Sequence, residues 1–211
     1  MKTTRFITVL AALLLSMSAM CQISKFDAGL QKQIARDAKK MAKQMEKEGW
    51  KTTGLPLERQ LVRYYECVYD LDENENPNYF FGNGQSKAQN YDASKMQSTT
   101  IARLEILHSM EAEATSLVES MVGNEQLGED DATSLATMIA EGKLFSSKNL
   151  GRTIVVVEAY RDLPNKNKEV LTRVIKKASD VQEAAKNGIR EEMKKRGKEF
   201  SEKTWNELKK N

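Results

Sequence analysis

The residues that could do chemistry in this chain are few and scattered. His108 is the single histidine, and Cys21 and Cys67 are the two cysteines. A zinc site takes several His, Cys or carboxylate ligands, and a nucleophilic triad needs a base beside its nucleophile. His108 has no such neighbours in the sequence, so we expect a packed or surface histidine. Cys67 lies in an apolar and aromatic stretch, which favours a buried structural thiol over a reactive or intermolecular one.

The acidic segment 72–78 resembles the start of a calcium-binding loop, but its spacing does not continue the pattern. A calcium loop that began at Asp72 would need glycine at the position of Pro77 and a bidentate glutamate at the position of Asn83. We therefore predict a solvated polar turn.

The Gly-Asn-Gly sequence at residues 82–84 follows a short predicted strand and raises the question of a phosphate cradle. A dinucleotide fingerprint would need a third glycine at the position of Lys87, and a P-loop would need Gly-Lys-Ser/Thr. We expect Gly82 and Gly84 instead to permit a turn or the close approach of another backbone.

For an enzyme, only carboxylate or Ser–Lys chemistry remains open with so few His and Cys residues. Those residue types are too common here to single any out, so we predict no catalytic, cofactor-binding or metal-binding residues. The alternative is a periplasmic hydrolase of one of these two kinds. A cleft that holds paired carboxylates with raised pKa values would favour that alternative.

The first 21 residues have the pattern of a secretory signal peptide. Lys2 and Arg5 precede an uncharged apolar run over residues 6–20, and small residues at Ala19 and Cys21 occupy the positions that a signal peptidase reads. The run is shorter than the roughly 20 residues of a membrane-spanning helix. We expect cleavage between Cys21 and Gln22, with Cys21 as an acylated lipoprotein cysteine as the alternative.

Composition limits the classes of partner and the origin of stability. Removal of residues 1–21 would leave 31 basic and 30 acidic residues. Because non-specific nucleic-acid binding needs a dense basic surface, this balance argues against it. The 190 remaining residues suit one domain, or a domain with helical arms. Cys67 alone would remain, so no intramolecular disulfide forms and the core must hold the fold.

Apolar periodicity predicts five helices. They cover residues 27–49 with Asp27 as N-cap, 57–71, 92–122, 129–141 and 180–211. The predicted apolar face of the long helix includes Leu104, Leu107, Ala114, Leu117, Val118 and Met121. The first and last helices are rich in lysine and have thin apolar stripes. We therefore expect residues 50–180 to fold alone, with the two ends as arms that pack weakly or engage a partner and whose basic faces would favour an anionic surface.

Three strands are predicted, over residues 78–86, 153–163 and 169–178. The last two form an antiparallel hairpin, because β-branched runs flank the turn residues 164–167. Valine and isoleucine occupy both parities of the strand at 153–163, which predicts burial on both faces near the centre of the sheet.

The order of these features resembles a known family. Leu-Pro-Leu-Glu-Arg-Gln-Leu at residues 55–61 precedes an aromatic helix, residues 78–86 lead into a long helix bearing Ala93, Ala102, Ala112 and Ala114, and the Val-rich residues 153–162 precede a second such strand. This pattern resembles the twenty-kilodalton membrane-associated lipoprotein family of bacteria, whose relatives include a flagellar outer-membrane assembly protein, over roughly residues 50–185. The resemblance implies a small α+β envelope domain without enzymatic activity.

The sequence therefore predicts an α+β fold, with a small antiparallel sheet of three strands packed against a long helix. Its predicted parts are a signal peptide (1–21), an amphipathic helix (22–49), an α+β domain (50–180) and a charged helix (181–211). We expect an exported, non-enzymatic protein of the periplasm or the inner face of the outer membrane. Its partner would be an envelope protein or the outer-membrane surface, with no transmembrane span and no cofactor.

Overall fold

The computed structural model describes residues 26–124 and 126–198, apart from the side chains of Ser147 and Lys148. The predicted cleavage site at Cys21 and Gln22 and the end of the predicted last helix, residues 199–211, lie outside the described residues. The helices are α1 (Ala28–Lys47), α2 (Leu57–Val68), α3 (Tyr91–Gly123), α4 (Glu129–Ala140), α5 (Ser147–Leu150) and α6 (Ala178–Lys195). The strands are β1 (Tyr79–Ala88), β2 (Ile154–Asp162) and β3 (Lys168–Lys177). The described residues divide into two compact units, 26–36 and 37–198, and the sheet belongs to the second.

The fold class is α+β, as predicted, with one three-stranded antiparallel sheet packed against the long helix α3. The strand order is β1-β3-β2, so β3 is central and the hairpin β2–β3 is present. The expectation that the strand at 153–163 is central is wrong, since β2 lies at an edge.

A β-bulge explains why valine occupies both parities of β2. Val155 pairs with Val174 and Val157 pairs with Arg173, which leaves Val156 as an extra residue in β2. Val156 and Val157 consequently both enter the core, whereas Val155 stays 45% exposed. Consecutive valines that suggest a strand buried on both faces thus mark a change of register in an edge strand.

One face of the sheet packs against α3 through small residues. Ser94, Ser98 and Ala102, spaced four residues apart on α3, are fully buried. A β-carbon on Gly82 would lie 1.8 Å from the carbonyl oxygen of Ala102. The predicted close backbone approach at Gly82 is therefore present, because only glycine leaves room for the helix backbone.

One sequence expectation about this region is wrong and one boundary differs slightly. β1 covers Tyr79–Ala88 where the sequence predicts residues 78–86, and of the two roles considered for Gly82 and Gly84, a turn or a close backbone approach, the second is present. Leu104, which we placed on the apolar face of α3, is 41% exposed. The buried face begins at Ser94, so its sheet-facing part consists of small residues that a search for large apolar side chains does not detect.

The other face of the sheet is covered by α2 and by the last turns of α1. Ala38, Ala42 and Met45 of α1 pack in one cluster with Leu61 of α2 and Val157 of β2. The apolar stripe of α1 is thus core from Ala38 onward, which overturns the expectation of a weakly packed N-terminal arm for this part of the helix. At the start of α1, Asp27 is the N-cap as predicted, with Oδ1 accepting from the backbone N–H of Leu30 at 2.9 Å.

Helix α6 is also part of the core, so the predicted weakly packed C-terminal arm is wrong over its described length. Val181, Ala185, Ile189 and Met193 are fully buried and belong to the same cluster as the α3 face. A β-carbon on Gly188 would lie 2.3 Å from the ring of Phe145. The glycine that interrupts the apolar stripe in the sequence therefore makes room for an aromatic ring.

Helix α2 ends at Val68, three residues before the predicted end, and Leu71 is 45% exposed. The turn that follows is held by Asp72, whose Oδ1 accepts from the backbone N–H groups of Asn74 and Asn76, both at 2.8 Å. These side-chain bonds to the backbone stabilise a turn immediately after the helix.

Candidate functional site

A buried carboxylate joins all three strands near the hairpin turn. Glu169 of β3 lies directly across from Lys87 of β1 and Arg161 of β2, and its side chain is 1% exposed. Arg161 Nε donates to Glu169 Oε2 and Gln85 Nε2 donates to Glu169 Oε1, each at 2.7 Å. The Arg161 guanidinium lies over the ring of Trp50, with its Cζ 4.6 Å from the ring centroid. We call Glu169, Gln85, Lys87 and Arg161 the Glu169 cluster.

The Glu169 cluster holds its carboxylate in the ionised form. Burial alone would raise the pKa of Glu169, but the hydrogen bonds from Arg161 and Gln85 and the charges of Arg161 and Lys87 lower it overall. A general acid requires the opposite shift. The arrangement is therefore suited to tying the strands together and not to donating a proton.

A second cluster lies on the α3 side of the sheet. Glu158 of β2 accepts hydrogen bonds from the hydroxyl of Tyr91 and from Lys95 Nζ, the latter at 2.9 Å to Oε2. The ring of Tyr160 meets that of Tyr91 edge to face, with centroids 5.3 Å apart. These four residues, the Glu158 cluster, fasten the first turns of α3 to β2.

The proton affinities in the Glu158 cluster are also unsuited to nucleophilic or base chemistry. The hydrogen bond to Glu158 raises the pKa of Lys95, and burial, followed by the hydrogen bond to Glu158, raises the pKa of Tyr91. An activated lysine or tyrosine needs a lowered pKa, so that the neutral amine or the phenolate is available. Here both groups keep their protons at neutral pH.

Among the described carboxyl groups, none whose pKa is clearly shifted has the raised pKa of a general acid. Their surroundings clearly shift the pKa of four of them, and all four pKa values are lowered: Asp72, Asp162, Glu169 and Glu192. Ser98 is buried and lies three residues after Lys95, but it does not form a Ser–Lys pair with it. Its hydroxyl bonds to the backbone carbonyl of Lys95 and to the hydroxyl of Thr172.

The residues that the sequence singled out are dispersed over the fold. His108 is exposed on α3, and Cys67 is half-buried on α2, where burial raises the pKa of its thiol to about 11. Within residues 26–124 and 126–198, no three His, Cys, Asp or Glu side chains are arranged to hold a metal ion. The space in front of Gly84 is taken by the carbonyl of Ser98, which leaves no room there for a phosphate.

The outer side of α1 forms a basic surface. Lys39, Lys40, Lys43 and Lys47 of α1 are exposed, and none of them forms an ion pair with another described residue. Because Ala38, Ala42 and Met45 face the sheet, the packing holds these lysines outward. We call the four the α1 lysine face.

The hollows on the described surface are open and shallow. One of about 510 Å³ lies along the α1 lysine face and is lined by Lys40, Lys43, Gln44, Lys47 and Glu48, mainly through their aliphatic parts. Another, of about 480 Å³, lies beside the Glu169 cluster and is lined by Gln85, Ser86, Lys87 and Glu169.

Comparison with known proteins gives no relative from which a role could be transferred: no family model, no curated protein and no solved structure matches the chain. Among the described residues, no helix is both long and apolar enough to cross a bilayer.

Proposed function

We propose that this chain is an exported, non-enzymatic protein of the bacterial cell envelope with a structural, scaffolding or interaction role. Its partner is an envelope protein or the inner surface of the outer membrane. The observation that carries the proposal is the N-terminal pattern of two basic residues, an uncharged apolar run and small residues before Gln22.

The chemistry of the polar clusters supports a non-enzymatic role. An active site needs groups whose pKa values are shifted toward their task and an open position where a substrate can reach them. In the Glu169 and Glu158 clusters the carboxylates are occupied by cations and amides of the chain itself. The family resemblance over roughly residues 50–185 points the same way.

Export is tested by expressing the full chain in a Gram-negative host, fractionating the cells and measuring the intact mass of the product. The expected result is a protein in the periplasmic or outer-membrane fraction whose mass is that of a chain beginning at Gln22. A diacylglyceryl group on Cys21 would keep export but replace cleavage after Cys21 with lipid anchoring. A full-length chain confined to the cytosol would overturn the proposal.

A pair of variants links export to the apolar run. Leu14→Arg places a charge within residues 6–20 and should keep the chain in the cytosol, whereas Leu14→Ile should be exported like the wild type. Equal export of both variants would show that this segment is not the signal.

A further inference from the structure

The outward side of α1 has a one-sided charge distribution. At about 3.6 residues per turn, Lys40, Lys43 and Lys47 lie opposite the buried residues Ala38, Ala42 and Met45, and Lys39 flanks them. The acidic residues of the same stretch, Asp37, Glu46 and Glu48, lie at the flanks nearer the sheet. The central strip of the outer surface is therefore basic, with Gln44 beside it.

These lysines contrast with others that the chain uses internally. Lys51 and Lys168 pair with Asp162, and Lys95 pairs with Glu158, so their charges are neutralised within the fold. The α1 lysine face has no such partners among the described residues, and its one acidic neighbour in the hollow, Glu48, accepts a hydrogen bond from Gln44 at 3.2 Å. The charge is thus directed to the surroundings.

The burial of the apolar stripe decides the mode of contact. An amphipathic helix that lies in a membrane interface inserts its apolar side between the lipids. In α1 that side is occupied from Ala38 onward by contacts with α2 and the sheet. From Ala38 onward the contact left to α1 is electrostatic, through its lysines, whose methylene stems line the open hollow along the helix.

We propose that the α1 lysine face is a docking surface for a bilayer that contains anionic phospholipid. This inference rests on the proposed export to the envelope and names the partner surface there. Charge complementarity and the aliphatic lining favour lipid, and the near-neutral balance of the whole chain disfavours a nucleic-acid polyanion.

The test uses the protein purified as its host exports and processes it, with sedimentation of vesicles at physiological salt. Vesicles of neutral phosphatidylcholine are compared with vesicles in which about 30% is replaced by phosphatidylglycerol, a composition chosen to give a strong negative surface potential. The wild type should partition preferentially to the anionic vesicles, and the preference should fade with added salt. The processed protein lacks Lys2 and Arg5, and a lipid anchor on Cys21 would bind both kinds of vesicle, so the difference between the two isolates the contribution of charge.

The variant K39Q/K40Q/K43Q/K47Q should lose the preference. At about fivefold per lysine near an anionic surface, the loss approaches several hundredfold. The control K143Q/R152Q/K166Q/K177Q removes the same net charge from exposed residues elsewhere, of which Lys143 is paired with Glu141, and should keep most of the preference. Because glutamine is a good helix former, unchanged circular dichroism is expected for the first variant.

The outcomes separate this inference from the proposed function. Equal partition of the wild type to both vesicles, or equal losses in the two variants, overturns the lipid surface while export stands. Tighter binding to a DNA duplex than to anionic vesicles overturns it in favour of a nucleic acid. Retention of the chain in the cytosol, measured separately, overturns the proposed function itself.

Discussion

Gly84 lies so close to Ser98 that a β-carbon at residue 84 would be 1.8 Å from the Ser98 carbonyl oxygen. We predict that Gly84→Ala destabilises the protein by about 3 kcal/mol or more, because the clash is with helix backbone that cannot rotate away. The unfolding midpoint in urea measures the effect. Gly54→Ala is the matched control, since no atom lies within 4 Å of its added β-carbon. Unfolding of Gly84→Ala at the same urea concentration as Gly54→Ala would contradict the close contact between Gly84 of β1 and the backbone of α3.

The bulge in β2 makes a distinct prediction for three consecutive valines. Val156→Asp and Val157→Asp should each lower the free energy of unfolding by roughly 3 kcal/mol or more, because both side chains lie in the core and an unpaired charge would be buried. Val155→Asp should change stability by less than about 1 kcal/mol, since its side chain is 45% exposed. Thermal melts of the three variants decide it. A large loss in Val155→Asp with none in Val156→Asp would place the bulge elsewhere.

Acid should weaken the Glu169 cluster in a defined direction. The pKa of Glu169 is lower in the folded protein than in the unfolded chain, so its contribution to stability is present above the unfolded value of about 4.3 and is lost as pH falls through the folded value. Glu169→Gln should cost about 2 kcal/mol at pH 7 because Arg161 loses its charged partner. Urea unfolding at pH 7 and at pH 3 should show the difference shrink in acid.

The control for this experiment is Asp162→Asn. Asp162 also has a lowered pKa, through hydrogen bonds from Lys168 and Lys51, but it is exposed, and solvent screens such pairs. Asp162→Asn should therefore change the free energy of unfolding little at either pH. A difference for Glu169→Gln that grew in acid would contradict the assigned direction of its pKa shift.

Helix α6 should be necessary for a stable fold. Ile189→Ala should cost about 2–5 kcal/mol, since the side chain is fully buried among α3 and α6 residues, whereas Ile154→Ala, at a side chain 58% exposed, should cost far less. A fragment of residues 50–180 lacks this helix from Val181 onward and should lose its cooperative melt. A cooperative melt of that fragment would restore the idea that the ends are arms.

The sequence was sufficient for the number of strands, the hairpin β2–β3 and the long helix, because each has a long periodic or β-branched signal. It also predicted the reason for Gly82 and Gly84, although the position of the partner needed the structure. The sheet-facing side of α3 escaped notice because Ser94, Ser98 and Ala102 have no apolar periodicity of the usual kind, and their significance depends on glycines across the interface.

The end helices were misjudged for a related reason. Thin stripes of alanine and methionine suggested weak packing, yet small residues allow a helix to approach a sheet closely and be fully buried. The bulge at Val156 could not be read from the sequence, since two adjacent valines are equally compatible with a central strand. The polar clusters were missed because Glu158 and Glu169 meet partners that are distant in sequence.

Side chains and one short backbone segment also guard the two edges of the sheet. Along β2, the backbone N–H of Glu158 donates to Gln60 Oε1 at 2.7 Å, and Lys51 exchanges both backbone hydrogen bonds with Tyr160. Along β1, the backbone N–H of Asn83 donates to Glu105 Oε2 at 2.6 Å. A foreign strand that tried to extend the sheet would have to displace these groups first. Both edges therefore offer fewer free backbone groups to a strand of another chain, which disfavours aggregation by edge-to-edge pairing.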